Sequence, residues 1–115
     1  MIHPNNLRIG NKVYWNKEKE LYYTINMHDF ANLNVFDKIE PIRITKELLE
    51  KNGFIQSDTE WQNHNYYNAC FEMSSDGDLY FSGSEGVRLS APIKYVHELQ
   101  NIVHSFNGVE LFFNI

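Results

Sequence analysis

Apolar and aromatic residues along the chain fall into short runs with two different periods. Asn11-Lys12-Val13-Tyr14-Trp15 and Leu21-Tyr22-Tyr23-Thr24-Ile25 are rich in β-branched and aromatic residues, and the polar Asn16-Lys17-Glu18-Lys19-Glu20 separates them. That arrangement predicts two strands of a hairpin. From Met27 to Asp37 the pattern is mixed. Phe30, Leu33 and Phe36 have helical spacing, but Asn32 and Asn34 weaken it, so the segment reads as strand or irregular loop.

Pro41-Ile42-Arg43-Ile44 leads into Thr45, an N-cap residue, and Lys46-Glu47-Leu48-Leu49-Glu50-Lys51-Asn52 ends at Gly53 in the C′ position. A helix of about two turns follows, too short to stand alone, so Leu48 and Leu49 must pack against a sheet. Phe54-Ile55 starts a returning strand. Trp61, Tyr66 through Met73, and Leu79-Tyr80-Phe81-Ser82 read as further strands, with Ser74 through Asp78 as a turn between the last two. Gly83 and Gly86 interrupt the next segment, and Val87-Arg88-Leu89 suits another short strand.

After Pro92, the residues Val96, Leu99, Ile102, Val103 and Phe106 share one helical face, and Gly108 ends the pattern. This is the strongest helix in the chain, and Val109 through Phe113 closes as a strand. No repeat, linker or low-complexity segment divides residues 1–115, which therefore read as a single compact domain. The expected class is α+β: one antiparallel sheet of five to seven strands, one short helix and one longer C-terminal helix.

Composition narrows the setting. With 115 residues, 43% of them apolar, the chain is long enough for one core without metal or disulfides, and its single cysteine, Cys70, excludes an internal disulfide. No apolar run has membrane length and no N-terminal leader pattern is evident, so a cytoplasmic location is expected. Fourteen asparagines with abundant Lys, Ile, Tyr and Phe point to an AT-rich bacterial or phage genome. The net charge of −5 argues against direct nucleic-acid binding, which calls for a basic stripe.

That charge is uneven. No Lys or Arg lies between Lys51 and Arg88, a stretch holding Asp58, Glu60, Glu72, Asp76, Asp78 and Glu85. Acids in such positions ordinarily keep turns and strand faces solvated. The sharper reading makes Asp76, Asp78 and Glu85 a partner-binding surface aimed at a basic protein groove.

Catalytic chemistry finds little support. His97-Glu98 opens a helix, but Asn101 stands where a zinc-protease pattern needs its second histidine, and His104 is about 10 Å from His97 along the axis. His28-Asp29 are sequence neighbours with no assignable nucleophile, and Cys70 sits in an apolar strand as a small hydrophobe. Asp76-Gly77-Asp78 is too short for a calcium loop, and Gly83-Ser84-Glu85-Gly86 lacks the Lys-Ser/Thr of a phosphate loop. The expectation is a protein that is not an enzyme, with no catalytic, metal or cofactor residues. Seven tyrosines, two tryptophans and eight phenylalanines exceed the needs of one small core, and exposed aromatics would suit protein binding.

Three segments carry a family resemblance: Asn6 through Tyr14, with its LRIGN opening; Pro41-Ile42-Arg43-Ile44-Thr45 through Phe54, similar to a PI-x-L-T helix entry; and Lys94 through Asn101, KYVHELQN, together with Gly108 and Glu110-Leu111. They resemble small uncharacterised proteins of prophages and mobile elements in the Bacteroidetes. Leu48 and Asn52 stand where that set has Trp and Phe, and His104 replaces an aromatic. The resemblance implies a phage or mobile-element accessory protein of the bacterial host cytoplasm. In that setting it implies an anti-defence binder, an anti-CRISPR inhibitor of an RNA-guided, type VI-like nuclease, with a host defence or nucleic-acid-handling protein as partner. The alternative is a phage structural or replication accessory protein.

Overall fold

The computed structural model describes residues 6–31, 33–57, 60–62, 70–74, 78–82, 92–107, 111 and 113. The fold is α+β. Strands β1 (Lys12–Asn16) and β2 (Leu21–Thr24) form the expected hairpin, and two 3-10 turns follow, Met27–Phe30 and Leu33–Asp37. Helix α1 (Lys46–Lys51) precedes β3 (Ile55–Ser57), β4 (Glu60–Gln62), β5 (Cys70–Met73) and β6 (Leu79–Phe81), and the chain continues to α2 (Val96–Asn107).

One correction concerns the sheet. In place of a single sheet of five to seven strands there are two antiparallel sheets, β1-β2 and β3-β4-β5-β6. The edge of β1 that faces away from β2 is already occupied. The Tyr14 N–H donates to the Glu40 carbonyl at 2.8 Å, the Glu40 N–H donates back at 3.0 Å, and the Lys12 N–H donates to Oε1 of Gln100 at 2.8 Å. With those groups taken, no further strand can pair there.

A second difference lies at Met27 to Asp37, where two 3-10 turns replace the expected strand or loop. The asparagine that matters is Asn26: its side chain accepts the His28 N–H at 2.9 Å, and Oδ2 of Asp29 accepts the Asn26 N–H at 2.8 Å. This reciprocal capping box favours a tight helical turn over extension.

Both helices start and stop for local reasons. In α1 the Thr45 hydroxyl accepts the Leu48 N–H, and the N–H groups of Gly53 and Phe54 close on the carbonyls of Glu50 and Leu49. Gly53 has φ 84°, the left-handed geometry that this Schellman ending requires. In α2 the Glu98 carboxylate reaches back to the N–H groups of Lys94 and Tyr95, capping the helix N-terminus. Its apolar stripe is buried as the spacing predicts, with Val96, Leu99 and Val103 fully covered. The Phe106 side chain, the strand expected at Val87 to Leu89 and most of the expected terminal strand lie outside the described residues. Leu111 and Phe113 are buried.

The apolar interior is divided in two. The larger cluster joins α1, α2 and the four-stranded sheet around Leu49, Trp61, Phe71, Leu79, Val96 and Leu99. The smaller one lies under the hairpin and contains Leu7, Val13, Ile25, Phe36 and Ile39. Polar side chains tie the two units together. Gln100, 1% exposed, donates from Nε2 to the carbonyls of Gly10 and Leu111 while its Oε1 accepts from Lys12. Buried Asn11 donates to Oδ1 of Asn101 at 2.9 Å, which also accepts from Nε of Arg8 at 3.2 Å. No helix among the described residues is long and apolar enough to cross a membrane.

Candidate functional site

Strand alternation sends the hairpin's rings to both of its faces. On one face Trp15 and Tyr23 lie 5.1 Å apart between ring centroids, and on the other Tyr14 and Tyr22 stack at the same distance. Trp15 sits at the rim of a groove of about 470 Å³ lined by Trp15, Asn16, Lys17, Glu18, Lys38 and Glu40. Lys38 places its ammonium 5.9 Å from the Trp15 ring centroid, a cation–π contact that holds the indole at the surface.

Among the described residues, Ile9, Trp15, Leu21, Tyr22, Met27, Phe30 and Ile55 are the exposed large apolar side chains. Six of these seven belong to the hairpin and its flanking turns. The same unit has no net charge: residues 1–40 hold five basic and five acidic residues, whereas residues 41–115 hold five basic and ten acidic. Among the described residues, the exposed large apolar side chains thus fall mainly before residue 41, and the acidic excess of the sequence falls after it.

The predicted acidic site is only partly in view. Asp76 and Glu85 lie outside the described residues. Asp78 accepts a hydrogen bond from the Arg43 guanidinium at 3.2 Å, and its own N–H donates to the Ser74 hydroxyl, so this acid has a basic neighbour within the chain. A sequence separation of 35 residues hides that pairing from local pattern.

The three described histidines, His28, His97 and His104, do not converge. His28 is exposed, while its neighbour Asp29 is buried and accepts from the Tyr23 hydroxyl at 2.6 Å and from the Asn26 N–H. That hydrogen bond raises the Tyr23 phenol above its usual 10.0. His104 is exposed. His97 is 5% exposed, lies parallel to the Tyr95 ring at 6.0 Å and leaves Nδ1 without a partner. Burial lowers its pKa below 6.5, with the Glu98 carboxylate pulling the other way. His97 also borders a groove of about 500 Å³ with Asn6, Leu7, Arg8, Glu98 and Asn101. Among the described residues no three His, Cys, Asp or Glu side chains are grouped to hold a metal. The Cys70 side chain lies outside the described residues.

The segments that carry the family resemblance meet in space. Ile42 to Ile44 runs against Lys94 to Val96, through Ile44 N–H to Lys94 O at 3.0 Å and Val96 N–H to Ile42 O at 2.9 Å. Gln100 and Asn101 bond the backbone and side chains of Asn6 to Lys12. These residues build the junction between the two units. The sequence pattern shows the strand and helices these residues sit on but not their meeting, for which the one local signal is Gln100, a polar residue one step from Leu99 on the helix stripe. No family model, curated protein or solved structure matches the chain.

Proposed function

We propose that the chain is a protein-binding module that acts by occupying its partner, and that it does so through the Trp15 and Leu21 side of the hairpin. The observation that carries this reading is that, among the described residues, the exposed large apolar side chains are concentrated on the charge-neutral unit. Exposed aromatic groups of this kind supply most of the energy in protein interfaces. Ordering costs little there, because Tyr23 and Lys38 already hold the Trp15 indole. The acidic excess of residues 41–115 gives a long-range attraction to a basic partner and leaves the close contact to the neutral side.

Combined with the resemblance, the function is anti-defence: inhibition of an RNA-guided, type VI-like nuclease in a bacterial host cytoplasm. The test is a phage-restriction assay in cells carrying such a nuclease, run beside binding of the purified nuclease to the purified chain. The wild type should relieve restriction and bind. Trp15→Ala with Leu21→Ser should weaken binding roughly tenfold or more while the thermal melt is kept. A double variant as active as the wild type, or a wild type that neither binds nor relieves restriction, would sink the reading.

A further inference from the structure

Among the described residues, β2 leaves one edge of the hairpin open. Because Tyr14 exchanges both backbone bonds with Glu40 and the Lys12 N–H turns to Gln100, the pairs Tyr14↔Tyr22 and Lys12↔Thr24 are of the non-hydrogen-bonded kind. The N–H and C=O groups of Tyr22 and Thr24 therefore point away from β1. Among the described residues none bonds to them. Ile25 completes the alternation by turning inward, its N–H to Asn11 O at 2.9 Å and its carbonyl to the Gly10 N–H at 2.8 Å.

Exposed edges in native sheets are usually defended by a charge, a proline or a bulge. Leu21-Tyr22-Tyr23-Thr24 contains neither charge nor proline, and the bulge of this hairpin, between Tyr14 and Asn16, is on the other strand. Two-stranded hairpins are marginal on their own. The unit that bears this edge is charge-neutral, so two copies meet without the repulsion that the acidic remainder would impose.

We infer that the outer edge of β2 pairs with β2 of a second copy of this chain, antiparallel about a two-fold axis at Tyr23. In that register Tyr22 faces Thr24 of the second copy and Thr24 faces its Tyr22. The four outward groups of each strand are then satisfied, and the two hairpins become one four-stranded sheet. An isologous contact of this kind closes at the dimer. It also places the two Trp15 rings on one continuous face, because residues that oppose each other across a ladder share a face. The inference rests on backbone groups of Tyr22 and Thr24 and is independent of what Trp15 binds.

Sedimentation of the full chain from micromolar to millimolar concentration tests it, alongside hydrogen exchange of the Tyr22 and Thr24 amides. Wild type should convert from monomer to dimer as concentration rises, and those two amides should become protected over the same range. Thr24→Pro removes one outward N–H at a position where an edge strand tolerates proline, and should weaken association roughly tenfold or more. Thr24→Lys, which leaves the backbone intact and adds a charge to the edge, should do the same and decides the matter if the proline variant fails to fold. A wild type that stays monomeric throughout, dimers of unchanged affinity in Thr24→Lys, or assembly that continues past the dimer would each overturn the inference.

Discussion

The hairpin unit and the helix-covered sheet solve opposite problems with the same alphabet of residues. In the larger cluster, Phe71 meets Phe81 and Phe54 edge-on at 5.5 and 6.1 Å, and these rings and Trp61 are all buried together with side chains of both helices. In the hairpin, rings of similar size pair across the strands, yet Trp15 and Tyr22 keep more than a third of their surface in water. What separates the two is the presence of a covering layer. The larger sheet shares its cluster with α1 and α2; the hairpin packs Val13, Tyr23 and Ile25 on the small cluster and Tyr14 on the larger one, and leaves Trp15, Leu21 and Tyr22 exposed. Among the described residues, most of the buried apolar core therefore lies in one unit and most of the exposed large apolar side chains in the other.

The largest test of that division is Leu49→Ala. Leu49 is fully buried in α1 at the centre of the larger cluster, and its truncation should cost about 2–5 kcal/mol and lower the global denaturant midpoint. If stability resides in this unit, hairpin and helix signals will be lost together. Persistence of the hairpin's amide protection after the sheet unfolds would show instead that the two units are thermodynamically separate.

Gln100→Leu should come next. It preserves volume but orphans the Lys12 N–H and the carbonyls of Gly10 and Leu111, at about 1–3 kcal/mol for each group that water does not reach. Hydrogen exchange should accelerate first in Gly10 to Thr24, with the larger core less affected. Uniform acceleration across the chain would mean that the hairpin is no less stable than the rest.

Gln100 also marks the limit of what the sequence discloses. Strands β1 and β2, α1 with its Thr45 cap and Gly53 ending, and the α2 stripe are all written in local period and local hydrogen bonding, and all are legible. The split into two sheets is not, and neither is the closing of the β1 edge by Glu40 and Gln100, which come from distant positions in the chain. The same applies to the site. Excess aromatic content foretells exposed rings, but in the run Leu21-Tyr22-Tyr23 nothing local says that Tyr23 will be tethered by Asp29 while Leu21 and Tyr22 face solvent. Asp78 reads as a free acid until Arg43 arrives beside it.

A smaller effect is expected from His97. Its pKa in the folded protein is lowered by burial, so the unfolded chain binds the proton more readily. Stability from this group is thus fully present above the unfolded value near 6.5 and falls as pH drops below it. The groups beside it in the groove are Glu98, which opposes the shift, and Arg8. The slope of stability against pH between 7 and 5 should be shallower in His97→Gln than in wild type. Equal slopes would assign the acid sensitivity to other groups.

The smallest effect belongs to the ion pair between Arg43 and Asp78. The Arg43 side chain is 50% exposed and that of Asp78 20%, so water screens their attraction and the coupling should fall at about 0.2–1 kcal/mol. A double-mutant cycle with Arg43→Ala and Asp78→Ala, measured by denaturant unfolding at low and high salt, isolates that term from the other contacts each side chain makes. The coupling should shrink as salt rises. The cycle also separates the two roles open to Asp78. If its carboxylate serves the fold, Arg43→Ala removes the coupling and leaves partner binding unchanged. If it is shared with a basic partner, Arg43→Ala should strengthen that association by freeing the acid, and the gain should vanish when Asp78→Ala is added.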